Sequence, residues 1–250
     1  MTLVEQIPAL RFLGVRVHNA SSAEALQILE SFIQERRPHQ VVTVNPEFVM
    51  EARRLPEFRD ALAGAGLSLP DGVGLLVAAR IQGARLKERV TGVDTVSRVA
   101  ALAARKGYNL FLLGAAPGVA EETAKRLTAA NPGLRIVGTY AGSPAPEDEA
   151  DIIARVTGAN PDVLFVAYGA PKQDLWIARN LARLNVPVVM GIGGALDFIS
   201  GRTRRAPEWM QQAGLEWLHR LICEPWRWRR MLALPRFLLQ VIAERIAGGR

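Results

Sequence analysis

The sequence predicts an α/β fold with a mainly parallel sheet that helices cover on both faces, followed by a helical C-terminal appendage. Short runs rich in Val and Leu alternate with helical patterns of about ten to fifteen residues, which is typical of parallel βαβ units. The 250 residues are 49% apolar and 22% charged, as in an ordinary globular protein. The composition changes after residue 200. We therefore expect one large Rossmann-like α/β domain with a C-terminal addition.

The elements follow in order along the chain. The predicted strands are Phe12–Val17, Val41–Val44, Gly66–Leu69, Asn109–Leu113, Leu134–Thr139, Val163–Tyr168 and Pro187–Met190. The predicted helices between them include Ser21–Arg36, Val73–Gln82, Asp94–Arg105 and Val119–Ala130. Ser21 and Glu24 have the spacing of a capping box at the start of the first helix. The acidic run Glu147–Asp151 is typical of a helix start rather than of a metal site.

The distribution of charged and aromatic residues changes near Ser200–Gly201. Residues 202–250 hold ten arginines, no lysine and four glutamates, which account for +6 of the net charge of +7. They also hold four of the five tryptophans. We expect residues 1–200 to form the α/β domain and residues 201–250 to form a C-terminal appendage. Such a basic, aromatic segment indicates an anionic partner: nucleic acid, phospholipid or a phosphorylated substrate.

Several classes of protein are excluded or disfavoured by what the sequence lacks. A single cysteine, Cys223, precludes an intramolecular disulfide, and with no recognisable signal peptide we expect a cytoplasmic protein. No uncharged run reaches the ~18 residues that a membrane span needs, which leaves a membrane-surface protein open. There is no Walker A loop, no Asp-x-Asp pair and no histidine cluster. We therefore expect no metal and no cofactor.

Candidate ligand-binding residues follow the predicted strands, because ligands of open parallel sheets bind beyond the carboxyl ends of strands. These positions are Thr43 and Asn45, Asp71, Gly114–Gly118, Gly169–Gln173 and Gly191–Asp197. Each also has a structural interpretation. Asp71 suits a turn or a helix cap, Asn45 an Asx turn, and Asp197 a helix N-cap. The glycines suit tight connections between strand and helix.

Several segments share their order and spacing with one known family. They are Thr43–Glu47, Leu69–Gly72, Glu88–Asp94, Phe111–Gly114 with Pro117–Glu121, Gly169–Gln173, Gly191–Asp197, Arg205–Pro207 and Gly214–Arg220. Together they resemble the WecG/TagA/CpsF family of bacterial glycosyltransferases, glycosyltransferase family 26. One departure is Asp174, where Glu is usual in the family; it retains the charge.

The resemblance implies transfer of a sugar from a UDP-sugar, a substrate rather than a cofactor, to a polyprenyl-diphosphate-linked saccharide at the inner face of the cytoplasmic membrane. It implies Asp71 as the catalytic base of an inverting reaction, with Thr43 and Asn45 orienting substrates. The substrate-binding residues that it implies are Arg89, Gly114, Gly169, Gln173, Asp197, Arg220, Arg227 and Arg230. Arg89 is equally compatible with a surface ion pair, and Lys172 with a solvated loop charge.

The appendage has two interpretations. One apolar helical stripe is predicted from Trp209, Met210, Ala213, Trp217, Leu218, Leu221 and Ile222. Arg220, Arg227 and Arg230 are spaced for one side of a helix, and a second apolar run covers Phe237–Ile246. The appendage is either a helical pair packed on the core or a membrane-surface element whose arginines also reach the leaving diphosphate, as the family implies.

The sequence is thus interpreted as a peripheral-membrane UDP-sugar transferase of cell-surface polysaccharide synthesis. Residues 1–200 are expected to be its UDP-sugar-binding catalytic domain and residues 201–250 its membrane-associating appendage. The expected sugar donor is a UDP-linked N-acetylmannosamine-type sugar or glucose. We expect the protein to bind no nucleic acid. A homo-oligomer is compatible with the family. A nucleic-acid-binding protein that uses the Arg/Trp segment and a Rossmann-like oxidoreductase that uses Gly191–Gly194 are the alternatives.

Overall fold

The computed structural model describes residues 2–248, apart from the side chains of residues 212 and 227. Two sheets are present in this part of the chain. Their strands are β1 (Ala9–Phe12), β2 (Val15–His18), β3 (His39–Val44), β4 (Leu67–Pro70), β5 (Asn109–Gly114), β6 (Arg135–Tyr140), β7 (Val163–Ala167) and β8 (Val188–Gly191). Strands β3 to β8 form a six-stranded sheet in the order β4-β3-β8-β7-β5-β6, and every neighbouring pair is parallel. The predicted α/β class is confirmed.

Helices follow most strands, as the alternating pattern predicts. In the first 200 residues they are α1 (Ser22–Glu35), α2 (Pro46–Arg54), α3 (Pro56–Gly64), α4 (Val73–Ile81), α5 (Gly92–Lys106), α6 (Val119–Ala130), α7 (Glu149–Ala159), α8 (Lys172–Leu184) and α9 (Ala195–Ile199). Ser21 caps α1 in the predicted capping box with Glu24. Helix α7 begins within the acidic run, as predicted.

Alternation of side chains along the strands covers both faces of the sheet. In β5, Leu110 and Leu112 join the core that contains α1, α5 and α6, whereas Phe111 and Leu113 join the core that contains α7 and α8. All four side chains are buried. Helices cover both faces of this central strand, so the open positions are the strand ends, where ligands of such sheets bind.

The predicted first strand, Phe12–Val17, is wrong as a single element. The chain reverses at Leu13 and Gly14, which adopt φ angles of 49° and 91°. Phe12 then pairs with Val15 in an antiparallel hairpin of β1 and β2. Two consecutive positive φ angles produce a tight two-residue turn. Such turns are usually recognised by an Asn-Gly pair, and this chain has Leu13 in place of Asn, so the sequence did not predict the turn.

The predicted single stripe from Trp209 to Ile222 is also wrong. The segment contains α10 (Glu208–Gln212) and α11 (Glu216–Cys223), with a turn at Gly214 between them. Pro225 then begins a short 3-10 turn, so the arginines at 220, 227 and 230 do not share one helix. Two further helices follow, α12 (Trp228–Met231) and α13 (Ala233–Gly248).

Helix α13 returns to the α/β core. Phe237 and Val241 are fully buried in the cluster that contains Phe12 of the hairpin and Phe48 of α2. The rings of Phe12 and Phe237 meet edge to face with centroids 6.3 Å apart. The division into residues 1–200 and 201–250 stays a prediction, but the end of the chain contributes to the core of the first part. None of the described helices is both long enough and apolar enough to cross a membrane.

Candidate active site

A cavity of about 680 Å³ lies at the carboxyl ends of the parallel strands, beneath helices α10 to α13, which we call the C-terminal segment. The predicted site residues that line it are Thr43, Asn45, Asp71, Arg89, Gly169, Gln173, Asp197, Arg220 and Arg230. These residues come from widely separated parts of the chain. The crossover connections bring strand ends that are distant in sequence to one edge of the sheet, where the C-terminal segment adds its arginines.

Asp71 follows β4, and its backbone N–H donates to the carbonyl of Val44 at 2.7 Å. The N-cap of α4 is Gly72, so the interpretation of Asp71 as the helix cap is wrong. Burial raises the pKa of Asp71 to about 6, which Glu216 and Asp94 reinforce, while Arg89 and the N–H of Gly92 oppose it. The carboxylate is therefore more basic than an exposed aspartate yet mostly ionised at pH 7, as a general base requires.

Thr43 and Asn45 lie at the end of β3 and line the same cavity. Asn45 caps α2, since its Oδ1 accepts from the N–H of Phe48 at 3.0 Å. The predicted Asx-type structural role is thus present together with the cavity position. The cap holds the side chain in one orientation, and its NH₂ group has no protein acceptor among the described residues.

Arg89 belongs to an ion-pair network that joins the α/β core to the C-terminal segment. Its guanidinium donates to Glu216 at 2.9 Å, and Glu216 also accepts from Arg205 at 3.1 Å. Arg205 in turn makes two hydrogen bonds to Asp94, at 2.6 and 3.1 Å. Arg89 and Glu216 are each about one-fifth exposed, so this is not the solvated surface pair that the sequence left open. The network fixes α11 over the cavity.

Gln173 ties together the loops after β7 and β8. Its Oε1 accepts from the N–H groups of Gly169 at 3.2 Å and Gly193 at 2.9 Å, and the residue is 1% exposed. The next residue, Asp174, is also buried, which raises its pKa to about 7. Gln173 therefore shapes the cavity wall through two backbone contacts. Lys172 is the first residue of α8 rather than a loop residue; it is exposed and does not line the cavity, which fits a solvated charge.

Asp197, Arg220 and Arg230 also line the cavity. The N-cap of α9 is Gly194, so the interpretation of Asp197 as an N-cap is wrong. Arg220 lies over the ring of Phe198 at 5.2 Å and donates to Glu224 at 3.3 Å. Arg230 makes two hydrogen bonds to Glu47, at 2.6 and 3.1 Å. The side chain of Arg227 lies outside the described residues.

Gly114 is the predicted site residue that the structure does not bring to the cavity. It is buried at the end of β5 with a φ of 99°, and a Cβ there would lie 2.8 Å from the backbone of Ala167. Close approach of β5 and β7 therefore accounts for glycine at this position. Among the lining residues, Ala116 represents the loop that follows.

Several lining or network residues were missed as site residues: Glu47, Asp94, Arg202, Arg205, Glu216 and Glu224. Most lie inside the segments that carry the family resemblance, which was the available signal. No group of three or more potential metal-binding side chains occurs in the described part of the chain.

Comparison with known proteins identifies the family of this chain. Residues 10–250 match the family model described as "Glycosyl transferase WecG/TagA/CpsF family". A Bacillus subtilis (strain 168) protein named N-acetylglucosaminyldiphosphoundecaprenol N-acetyl-beta-D-mannosaminyltransferase is 33% identical over 227 residues, which cover 90% of this chain and 88% of that protein. A protein of the same name from Bacillus spizizenii (strain ATCC 23059 / NRRL B-14472 / W23) is 32% identical over 220 residues, 88% of this chain and 85% of its own length. The chain belongs to the WecG/TagA/CpsF family and is a glycosyltransferase.

Proposed function

We propose that this glycosyltransferase moves a sugar, N-acetylmannosamine-type or glucose, from a UDP-sugar to a polyprenyl-diphosphate-linked saccharide with inversion at the anomeric carbon. The observation that carries the proposal is the joint placement of a basic carboxylate, Asp71, and several arginines in one cavity. The names of both Bacillus relatives describe a diphosphoundecaprenol-linked N-acetylglucosamine acceptor, which supports the class of acceptor proposed here.

Asp71 acts as the general base. An acceptor hydroxyl attacks the anomeric carbon of the donor, forming the new glycosidic bond as the bond to the UDP oxygen breaks. The hydroxyl proton passes to the Asp71 carboxylate, and UDP departs with the electron pair. Attack from the face opposite the leaving group inverts the configuration. A positioned base contributes ~10²–10⁴ to such a rate.

The arginines of the cavity stabilise the leaving diphosphate. The planar guanidinium binds phosphate oxygens in pairs, and Arg89, Arg220 and Arg230 all line the cavity. In the structure these groups hold the carboxylates of Glu216, Glu224 and Glu47. Substrate phosphates would replace carboxylates as their partners. We propose that this neutralisation takes the part that a metal ion plays in other UDP-sugar transferases.

The C-terminal segment is proposed to meet the inner face of the cytoplasmic membrane. It exposes several large apolar side chains: Trp209, Ile222, Trp226, Trp228, Leu239 and Ile246. Exposed arginines 229, 236 and 245 lie in the same segment. Aromatic side chains favour the membrane interface, and arginines favour anionic lipids by ~1 kcal/mol each.

The test is transfer by the full-length protein in detergent, with a panel of UDP-sugars and a polyprenyl-diphosphate-linked N-acetylglucosamine acceptor. A product of inverted configuration with UDP-N-acetylmannosamine or UDP-glucose supports the proposal. Binding of UDP, NAD and an oligonucleotide is measured in parallel. Failure of every UDP-sugar together with tight, salt-sensitive oligonucleotide binding, or with NAD binding, would refute it in favour of one of the two alternative classes.

A further inference from the structure

Arg202 lies at the mouth of the cavity, on the connection between the α/β core and the C-terminal segment. Here the chain folds back over the end of α9: the N–H of Ser200 donates to the carbonyl of Leu196 at 2.8 Å, and that of Thr203 to the carbonyl of Asp197 at 3.0 Å. Both Arg202 and Thr203 line the cavity. Backbone hydrogen bonds on either side therefore hold Arg202 at the opening.

The partners of the cavity arginines set Arg202 apart. Among described side chains, four arginines line the cavity: Arg89, Arg202, Arg220 and Arg230. Three of them are neutralised by carboxylates, Arg89 by Glu216, Arg220 by Glu224 and Arg230 by Glu47. Within residues 2–248, Arg202 forms no such ion pair, and its side chain is exposed at the cavity.

The unpaired charges on the cavity wall indicate what the guanidinium of Arg202 binds. Once the three ion pairs are set aside, the charged side chains left on the described wall are Asp71, Asp197 and Arg202. Two carboxylates repel an incoming diphosphate, so a cation with open donor groups is needed at the entrance before the paired arginines exchange partners. Arg202 has that position and those donors.

We propose that Arg202 is a further substrate-binding residue, which contacts a diphosphate group of a substrate as it enters the cavity. This inference rests on the proposed function, because both the UDP-sugar and the polyprenyl-linked acceptor carry a diphosphate. The contact is a charge-assisted, two-pronged hydrogen bond from the guanidinium to phosphate oxygens.

The chain supplies a matched control two residues further along. Arg204 is also an exposed arginine of the same connection, but it does not line the cavity. Arg202→Ala and Arg204→Ala each remove one charge from the same segment. Arg202→Lys keeps the charge but loses the planar guanidinium that donates two parallel hydrogen bonds. Thermal midpoints of all three full-length variants, compared with wild type, check that folding is intact.

Two measurements on these variants identify the source of the diphosphate. Calorimetric titration with UDP and with uridine isolates the donor diphosphate, and KM for the lipid-linked acceptor at saturating UDP-sugar reports the acceptor diphosphate. We expect Arg202→Ala to weaken UDP binding or to raise the acceptor KM about tenfold to a hundredfold, with uridine binding little changed. We expect the affected affinity or KM of Arg202→Lys to lie between those of wild type and Arg202→Ala, and Arg204→Ala to match wild type in both measurements.

Weaker binding of UDP but not of uridine assigns Arg202 to the donor, and a higher acceptor KM alone assigns it to the acceptor; either supports the inference. An Arg202→Ala variant equal to wild type in both measurements, or an Arg204→Ala variant equally impaired, would overturn it. In those cases wild type still binds UDP and the proposed function stands. A wild-type protein that binds no UDP and transfers no sugar would overturn both.

Discussion

Protonation of Asp71 should switch off sugar transfer in mildly acidic solution. The pKa of this carboxyl is raised from 3.8 to about 6, chiefly by burial in the cavity. Below that value the deprotonated fraction, and with it kcat/KM, falls about tenfold for each pH unit. An exposed aspartate would give the same decline about two units lower. The midpoint of the acid limb therefore reports the environment that the fold gives Asp71.

Asp71→Asn is the matching substitution, since it keeps the shape and removes the base. We expect kcat to fall ~10²–10⁴-fold, UDP binding to persist, and the acid limb to disappear from the residual activity. Asp60→Asn, at an exposed position of α3, is the control, and it should retain the wild-type kcat and the acid limb of the pH profile. Initial rates from pH 4.5 to 8, with UDP affinity measured at each pH, provide the test. A wild-type limb near pH 4, or an Asp71→Asn variant that retains the limb, would refute the assignment.

Three further outcomes are expected. Burial, assisted by the nearby charge of Arg16, lowers the pKa of His18 to about 4, so the unfolded chain takes up a proton that the folded chain does not as pH falls from 6.5. The free energy of unfolding should then decrease by up to about 3 kcal/mol by pH 4. In chemical denaturation, this decrease should be smaller for His18→Asn than for wild type, whereas His219→Asn should show the same decrease as wild type. Phe237→Ala should destabilise the protein by ~3–5 kcal/mol, whereas Leu239→Ala, on an exposed face of the same helix, should cost little. Sugar transfer should survive EDTA because arginines neutralise the leaving diphosphate; loss of transfer that Mg²⁺ or Mn²⁺ restores would contradict this.

The C-terminal segment has more than one physical role. The ion pairs of Arg89 and Arg230 join it to the walls of the cavity, and Phe237 places it in the core. A deletion after Gly201 would therefore expose the apolar surface that α13 covers as well as remove cavity arginines. Single arginine substitutions separate these effects, because they leave the buried face of α13 unchanged.

Local patterns were sufficient for most of the core. The apolar runs that became β3, β4, β5, β7 and β8 are recognisable because a strand buried on both faces must be apolar along its length, whereas the edge strand β6 is partly exposed. The capping box of α1 and the acidic start of α7 are local hydrogen-bond and dipole signals, and both were predicted correctly. The hairpin at Leu13 and the break at Gly214 were missed. Each depends on a backbone conformation that its residues permit but do not signal strongly.

By itself, the sequence determined the fold class, the family and the strand ends where ligands meet a parallel sheet. Tertiary structure alone decided which charged groups meet there. Asp71 acquires its raised pKa from burial and from Glu216, which is 145 positions away in the chain. Arg220 and Arg230 reach the cavity although Pro225 separates their helices, whereas Gly114, with an equally good strand-end position, packs against Ala167. Desolvation and ion pairing depend on distances in space, and the crossover connections of the sheet set those distances.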